Sequence, residues 1–253
     1  MKTLTAIILA KNEEKIIAKA VESLLFCGEV LVIDDESTDE TAKRAISAGA
    51  KVMSHSKKRE FAGQRNWAME QAESEWILFI DADEQVTDEL KKEILLYTSM
   101  LDRPKIVAYA LPRRDFFWDT ELKFGETYKA RTSGIVRLVK KDGGVWAGAV
   151  HERFVPTGSI EKLDGYIDHY SHETLSSFIQ DINVYSSIRA EELAKEGKKF
   201  SLFELVFFPF FKFIYTYFIL RGFLDGAAGF VYSFVMSFHS FLVRAKLATK
   251  SYV

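Results

Sequence analysis

The sequence predicts an α/β protein: a doubly wound, mostly parallel sheet followed by a helical, aromatic-rich appendage. Three observations carry this. The first 84 residues alternate strand and helix patterns, β-α-β-α-β-α-β, with crossovers short enough to return each strand parallel to the last. Two of those strands, Val30–Ile33 and the apolar run that opens at Trp76, end in acid clusters. Continuous apolar runs of this kind suit strands buried on both faces of a parallel sheet. Finally, 13 of the 21 Phe lie in the last 54 residues, so the two ends of the chain differ in character.

In order, Leu4–Leu9 reads as the first strand. Lys2 followed by an apolar run resembles a short signal segment, but Lys11-Asn12-Glu13-Glu14 follows directly and no small-residue cleavage site is present. Asn12 is expected to cap a helix, with Glu13 and Glu14 favoured by its dipole and Ile16, Ile17, Ala20, Val21 and Leu24 at helical spacing. Val30–Ile33 is the second strand. Ser37 with Glu40 three residues on predicts a capping box for the next helix, which Gly49 closes. Lys51–Ser54 is a short strand and Phe61–Ala72 a helix bearing Gln64, Arg65, Asn66 and Trp67. Trp76-Ile-Leu-Phe-Ile then runs into Asp81-Ala82-Asp83-Glu84. A helix follows Thr87 to about Met100. Ile106–Leu111, Phe116–Trp118 and Gly134–Val139 read as strands, Gly143-Gly144 as a turn, and Leu175–Ala194 as a helix.

The charged stretch Glu191–Lys199 separates this part from the tail. Leu205–Leu220 is almost wholly apolar, broken by Pro209, Lys212 and Thr216, and Gly226–Phe238 is a second apolar run. Neither has the ~18–20 uninterrupted apolar residues of a spanning helix. Lys, Arg and aromatic residues together fit an amphipathic segment lying on an anionic membrane surface. A hydrophobic dimer interface, making a homo-oligomer, and helices packed on the domain are the other readings of the same residues.

A net charge of −2 and the lack of any basic arm give no case for nucleic acid. The single cysteine, Cys27, allows no internal disulfide and fits a reducing compartment.

The chemistry sits where strands end. Ligands of open α/β sheets bind outside the carboxyl ends of the strands. Asp81 and Asp83 flank one small residue, so both can reach one hard cation such as Mg²⁺ or Mn²⁺, which keeps other positions for water and phosphate. Asp34 or Asp35 could accept a hydrogen bond from a nucleobase or ribose. A further carboxylate could act as general base on an acceptor hydroxyl. That inventory fits metal-dependent glycosyl transfer with UDP as leaving group. Against it stand blander readings: an acidic turn, a structural His151, a surface Glu152–Arg153 pair, Arg113, Arg114 and Arg131 on a solvated face, and Trp67 and Trp146 as core or pocket wall.

Ala6-Ile-Ile-Leu-Ala-Lys-Asn12-Glu13-Glu14, Val32-Ile-Asp-Asp-Glu-Ser37-Thr38-Asp39-Glu-Thr41, Gln64-Arg65-Asn66-Trp67-Ala68 and Trp76–Glu84, in this order and spacing, resemble a family 2, GT-A fold inverting glycosyltransferase. The chain looks most like the bacterial β-glucosyltransferases that decorate the inner core of lipopolysaccharide or lipooligosaccharide. The resemblance continues through Val150-His151-Glu152 and His169-Tyr170-Ser171, spans roughly residues 4–190, and has a looser echo in Gly222-Phe-Leu-Asp-Gly226. It implies a GT-A domain over residues 1–195 and a membrane-associating segment over 196–253. It implies that Asp34 or Asp35 contacts uridine, that Arg65, Asp81 and Ala82 lie at the nucleotide sugar, and that Asp81 and Asp83 hold Mg²⁺ or Mn²⁺. His169 is implied as a third metal ligand or a phosphate contact, and Glu152 as the catalytic base. The implied partners are a UDP-sugar, expected to be UDP-glucose, and a lipid-linked saccharide, met at the cytoplasmic face of the cell membrane.

Other classes fit some of the same residues. Leu31–Glu36 with Asp81 also resembles a receiver domain phosphorylated on Asp81. A full strand and helix precede the acid pair, however, and the later Ser/Thr and Lys-Pro signals of a receiver are missing. A nucleotidyltransferase would need a glycine-rich loop where Ala10-Lys-Asn-Glu-Glu14 stands. A nucleotide-sugar-binding protein without turnover is the remaining reading of these residues.

Overall fold

The apolar runs of the N-terminal half become the centre of a seven-stranded sheet. In chain order the elements are β1 (Leu4–Ala10), α1 (Ile17–Ser23), β2 (Glu29–Asp34), α2 (Thr41–Ser47), β3 (Lys51–Ser54), α3 (Phe61–Gln71), β4 (Trp76–Asp81), β5 (Glu84–Val86), α4 (Asp88–Ser99) and β6 (Ile106–Leu111). Then come β7 (Arg113–Phe117), β8 (Thr120–Leu122), α5 (Tyr128–Ser133), β9 (Ile135–Lys140), β10 (Gly144–Ala147), β11 (Arg153–Pro156), β12 (Ser159–Lys162) and β13 (Ile167–His172). Helices α6 (Leu175–Lys195), α7 (Leu202–Phe213) and α8 (Gly226–Ser251) complete the chain. This computed structural model describes residues 4–56, 61–100, 105–148, 152–172 and 174–251. The chain divides into two compact units, one of Met1–Arg113 with Thr132–His169 and one of Arg114–Arg131 with Tyr170–Val253.

In the first unit the strand order is β12-β6-β9-β4-β1-β2-β3. The β4-β1-β2-β3 core is parallel, and β9 inserts antiparallel between β4 and β6. Alternate side chains serve opposite faces. Ile8, Val32, Leu78 and Ile80 pack with Ile17 and Val21 of α1, with Leu24 just beyond it, and with Leu90 and Ile94 of α4. Ile7, Leu31, Ile33, Ile77 and Phe79 pack with Ala68 and Met69 of α3. Both faces are covered, which is why these strands carry no polar alternation. Burying each such side chain contributes about 1.5–3 kcal/mol.

The strands and most helices lie where the sequence places them, but two caps do not. Asn12 takes φ 57°, and its Oδ1 accepts the Thr38 N–H at 2.8 Å. Ser37 Oγ accepts the Asn12 N–H at 2.9 Å. Helices α1 and α2 start later, at Ile17 and Thr41, without side-chain caps. The cause is the register: Ala10 pairs with Asp34, so the loops leaving β1 and β2 run side by side, and their polar side chains cross-link them. Gly49 does close α2, at φ 105°. Thr87 caps α4 by accepting the Leu90 N–H at 3.3 Å. Cys27 is half-buried, and burial pushes its thiol up to about 12.

The second unit is helical around a small core of Phe117, Leu122, Phe178, Ile182, Ala228 and Val235. Helices α6 and α7 both pack on α8. Thr174 and Ser177 form a reciprocal capping box at the start of α6. The Gly222–Gly226 echo is structural here: the Asp225 carboxylate accepts the backbone N–H groups of Lys123 (3.1 Å) and Phe124 (3.0 Å). A Cβ on Gly229 would stand 2.1 Å from the Gly222 carbonyl oxygen, so only glycine allows that approach.

The helical stretches Leu202–Ile219 (18 residues) and Gly222–Thr249 (28 residues) are, by length and composition, long and apolar enough to cross a membrane. The first helix runs through Pro209 and continues as a wider π-type turn over Ile214–Ile219. Lys212, which breaks the first apolar run, is held by Glu126 at 2.6 Å.

Candidate active site

The carboxyl ends of β2, β1 and β4 lie together because Ala10 pairs with Asp34 and Leu9 with Asp81. The two acid-ended strands thus flank β1. Two inter-strand spacings of ~4.8 Å put Asp34 and Asp81 roughly 10 Å apart along the sheet edge.

At the β2 end, the structure tells the neighbouring acids apart. Asp35 is buried and ion-paired with Lys11 at 3.2 Å. Asp34 is buried too; its Oδ2 accepts the Ser37 N–H at 3.2 Å, while Oδ1 is buried without a hydrogen-bond partner in the protein.

The Gln64–Trp67 run of α3 spends each residue differently. Gln64 donates to the His55 carbonyl at 3.0 Å, and Trp67 stacks on His55 with centroids 3.9 Å apart. Asn66 pairs with the backbone of Trp146 on β10 in both senses, accepting its N–H at 2.8 Å and donating to its carbonyl at 2.9 Å. That side-chain clamp fixes α3 against β10. Arg65 is then buried with its guanidinium carbon 5.0 Å from the Phe79 ring and 4.9 Å from the Trp146 ring. Its Nε donates to Glu152 Oε1 at 3.0 Å and its Nη2 to Asp81 Oδ1 at 3.4 Å, while Nη1 is buried with no protein partner. Glu152 is therefore not the surface partner of Arg153, and Trp146 is at once core and wall.

Asp81 is doubly held. Besides Arg65, Arg137 of β9 grips both its oxygens, Nη1 reaching Oδ1 at 3.2 Å and Nη2 reaching Oδ2. Burial alone would raise the Asp81 carboxyl, but Arg137 and then Arg65 hold it well below the usual carboxylate range. Burial would lower the Arg137 guanidinium, and Asp81 and Glu84 instead hold it above its ordinary value. Glu84 is fully buried: Oε1 accepts Arg137 Nη2 at 3.0 Å and lies 3.5 Å from Arg113 Nη1, and Oε2 accepts the Asp81 N–H at 3.0 Å. Arg113 is thus no solvated cation.

Ala82 is buried, and Asp83 pairs with His169 Nε2 at 3.2 Å because β13 sets His169 opposite Glu84 of β5. The structure therefore gathers Arg65, Asp81 and Glu152 in one group and Asp83 with His169 in another. Among the described residues, no three His, Cys, Asp or Glu side chains form a ready cation cage. His151 and Val150 lie outside the described residues.

Arg137 was not singled out from sequence. Its signal is a lone arginine inside the apolar strand Ile135-Val-Arg-Leu-Val, one residue before Leu138, which pairs with Leu78.

Residues 5–148 match glycosyl transferase family 2. The chain belongs to that family. A glycosyltransferase of Rickettsia typhi is 33% identical to this family 2 enzyme over 98% of this chain and 87% of its own. The lipopolysaccharide core biosynthesis glycosyltransferase LpsC of Rhizobium meliloti is 30% identical over 96% of this chain and 91% of its own. Among solved structures, glucosyl-3-phosphoglycerate synthase from Mycobacterium tuberculosis, in complex with Mn²⁺, UDP-glucose and phosphoglyceric acid, superposes with a TM-score of 0.51 at 16% identity, covering 78% of this chain and 80% of that one. Mannosyl-3-phosphoglycerate synthase from Rubrobacter xylanophilus gives 0.50 at 16% identity over 79% and 77%. At such identity the likeness is one of fold, and that fold is GT-A. Family membership stands against the receiver-like alternative.

Proposed function

We propose that this glycosyltransferase moves a sugar, with UDP-glucose as the donor, onto a hydroxyl of a lipid-linked saccharide of the lipopolysaccharide-core kind, with inversion and with Mg²⁺ or Mn²⁺. The observation that carries the reading is Arg65. One guanidinium holds Glu152 and reaches Asp81, and its third nitrogen is buried without a protein partner, as a donor kept for a ligand anion is. Asp34 Oδ1, an orphaned buried acceptor at the end of β2, is the matching feature for the nucleoside end, and it favours Asp34 over the Lys11-bound Asp35.

Asp83 and His169 fit a divalent cation that completes its shell with diphosphate oxygens and water, since such cations commonly take only one or two carboxylates from protein. Asp81 would join them only by sharing its carboxylate with Arg137. When bound, the cation neutralises the departing diphosphate. The chain's own groups do the rest. Arg65 orients Glu152, and Glu152 removes the acceptor hydroxyl proton. The acceptor oxygen forms its bond to the anomeric carbon as the bond from that carbon to the diphosphate oxygen breaks, and the electron pair leaves with UDP. A single displacement inverts the anomeric centre. The name of LpsC supports the acceptor class, and the contents of the M. tuberculosis structure support the donor and metal.

The second unit supplies the reason for a lipid-linked acceptor. Leu202, Phe203, Val206, Phe210, Phe211 and Phe218 are exposed on α7 and the turn after it. An apolar face of this size suits the interface of a bilayer, with the enzyme peripheral on the cytoplasmic side of the cell membrane.

The test is transfer by the full chain from UDP-glucose to a lipid-linked core saccharide in vesicles, read by product linkage. The reading expects a β-linked product from the α-linked donor and loss of transfer with EDTA or Asp83→Ala. Transfer unchanged by either would overturn the metal assignment, and a retained α-linkage would overturn the single displacement.

A further inference from the structure

Glu84 and Arg137 are both buried, and they bond to each other and to Asp81. Glu84 is fully buried and both its oxygens are used, Oε2 by the Asp81 N–H and Oε1 by Arg137 and Arg113. It cannot double as a ligand without breaking those bonds. Arg137 Nη2 is shared between Asp81 Oδ2 and Glu84 Oε1, and Nη1 takes Asp81 Oδ1. The result is a closed ring: Asp81 backbone to Glu84 side chain, Glu84 to Arg137, and Arg137 back to the Asp81 side chain. The ring spans both ends of the four-residue turn from β4 to β5. Asp83 stands inside that turn, beside His169.

We propose that Arg137 is a positioning residue for the cation–diphosphate site: by bridging Asp81 and Glu84 it fixes the turn that presents Asp83 beside His169. The inference rests on the metal-dependent reading above and adds to it a residue that touches neither donor nor acceptor. It depends on guanidinium geometry as well as charge. A planar fork can hold two oxygens of one carboxylate and one of another at once, and a lysine ammonium is a single point charge that cannot reproduce the bridge. Groups that orient ligating residues without binding the metal change metal affinity roughly 10–100-fold when removed.

The experiment is calorimetric titration of UDP into the full chain with and without Mn²⁺, for wild type, Arg137→Met and Arg137→Lys, with circular dichroism to verify folding. Wild type is expected to bind UDP more tightly with Mn²⁺. Both variants are expected to raise the Mn²⁺ concentration for half-maximal UDP binding roughly 10–100-fold, and to change Mn²⁺-free UDP affinity by much less. A merely structural arginine would lower the melting temperature and leave the Mn²⁺ requirement alone. If Arg137→Met does not fold, Arg137→Lys keeps the charge and carries the same expectation. A folded variant with the wild-type Mn²⁺ requirement, or with equal losses in both titrations, removes the inference alone. A wild-type chain that binds UDP no better with Mn²⁺ removes the metal-dependent reading, and the inference with it.

Discussion

The two compact units invert each other's chemistry. In the first, apolar strands are buried on both sides and charge has been drawn inward: Arg65, Glu84 and Arg137 all lie below a tenth exposure and hold one another or Asp81 and Glu152. In the second, aromatic side chains face outward, with Phe210 58% and Phe218 50% exposed, while Lys212 in the last turn of α7 is tied to Glu126. Buried charge and exposed Phe are the two placements a water-soluble globule ordinarily avoids. Each matches the proposed partner of its unit, an anionic donor for the first and an apolar surface for the second.

The comparison can be broken at either unit. The largest effect is expected in the first. Glu152→Gln should lower kcat roughly 10²–10⁴-fold while UDP affinity stays, as loss of a general base does; steady-state transfer beside a UDP titration reads both, and undiminished kcat would remove the base assignment. In the second unit, Phe210→Ser with Phe211→Ser and Phe218→Ser should abolish co-sedimentation with anionic vesicles, since each buried Phe contributes about 1.5–3 kcal/mol. Vesicle binding that survives would leave the aromatic face without its lipid role.

Stability sharpens the contrast. Leu78→Ala, in the buried centre of β4, should cost about 2–5 kcal/mol, seen as a lower urea midpoint. Phe234→Ala, exposed on α8, should stay within about 0.5 kcal/mol when no lipid is present. Equal losses would mean that the aromatic face is packed in solution. The smallest effect concerns pH. Asp81 is held below its unfolded value, so its contribution to stability is full above the unfolded pKa of about 3.9 and fades as pH falls through the folded one. Asp81→Asn should therefore lower the melting temperature near neutrality, and the gap to wild type should close only below about pH 4.

Much of this was legible in the sequence for a physical reason. Strands β1 to β4 are continuous apolar runs because both sheet faces are covered, and α4 announces itself through Thr87 and its acidic first turn. The motifs mark Arg65, Asp81 and Glu152, and the structure brings these side chains together; of Asp81, Asp83 and His169, expected to share one cation, Asp83 and His169 meet while Asp81 is held by Arg137 and Arg65. What sequence did not show was which partner each polar group would take. Asn12 and Ser37 have the chemistry of helix caps, and only the β1–β2 register turns them toward each other. Glu84 looked like one more acid in a cluster and is the buried anchor of a turn. Arg137 lies 53 residues beyond Glu84, and nothing local marks it except a charge inside an apolar strand. Long-range pairing is set by topology, and that is where a reading of residues in order runs out.

The central claim is that the sheet edge from Asp34 to Asp83 binds a uridine diphosphate together with a divalent cation. Thermal denaturation of the full chain with UDP, GDP and CMP, each with and without Mn²⁺, tests it most directly. Ligand at ~100 times its Kd adds about 2.7 kcal/mol, which for a chain of this size raises Tm by about 5–10 °C. That rise is expected for UDP with Mn²⁺, and little for UDP alone or for GDP and CMP. Equal stabilisation by all three nucleotides, or a UDP effect indifferent to Mn²⁺, would contradict it.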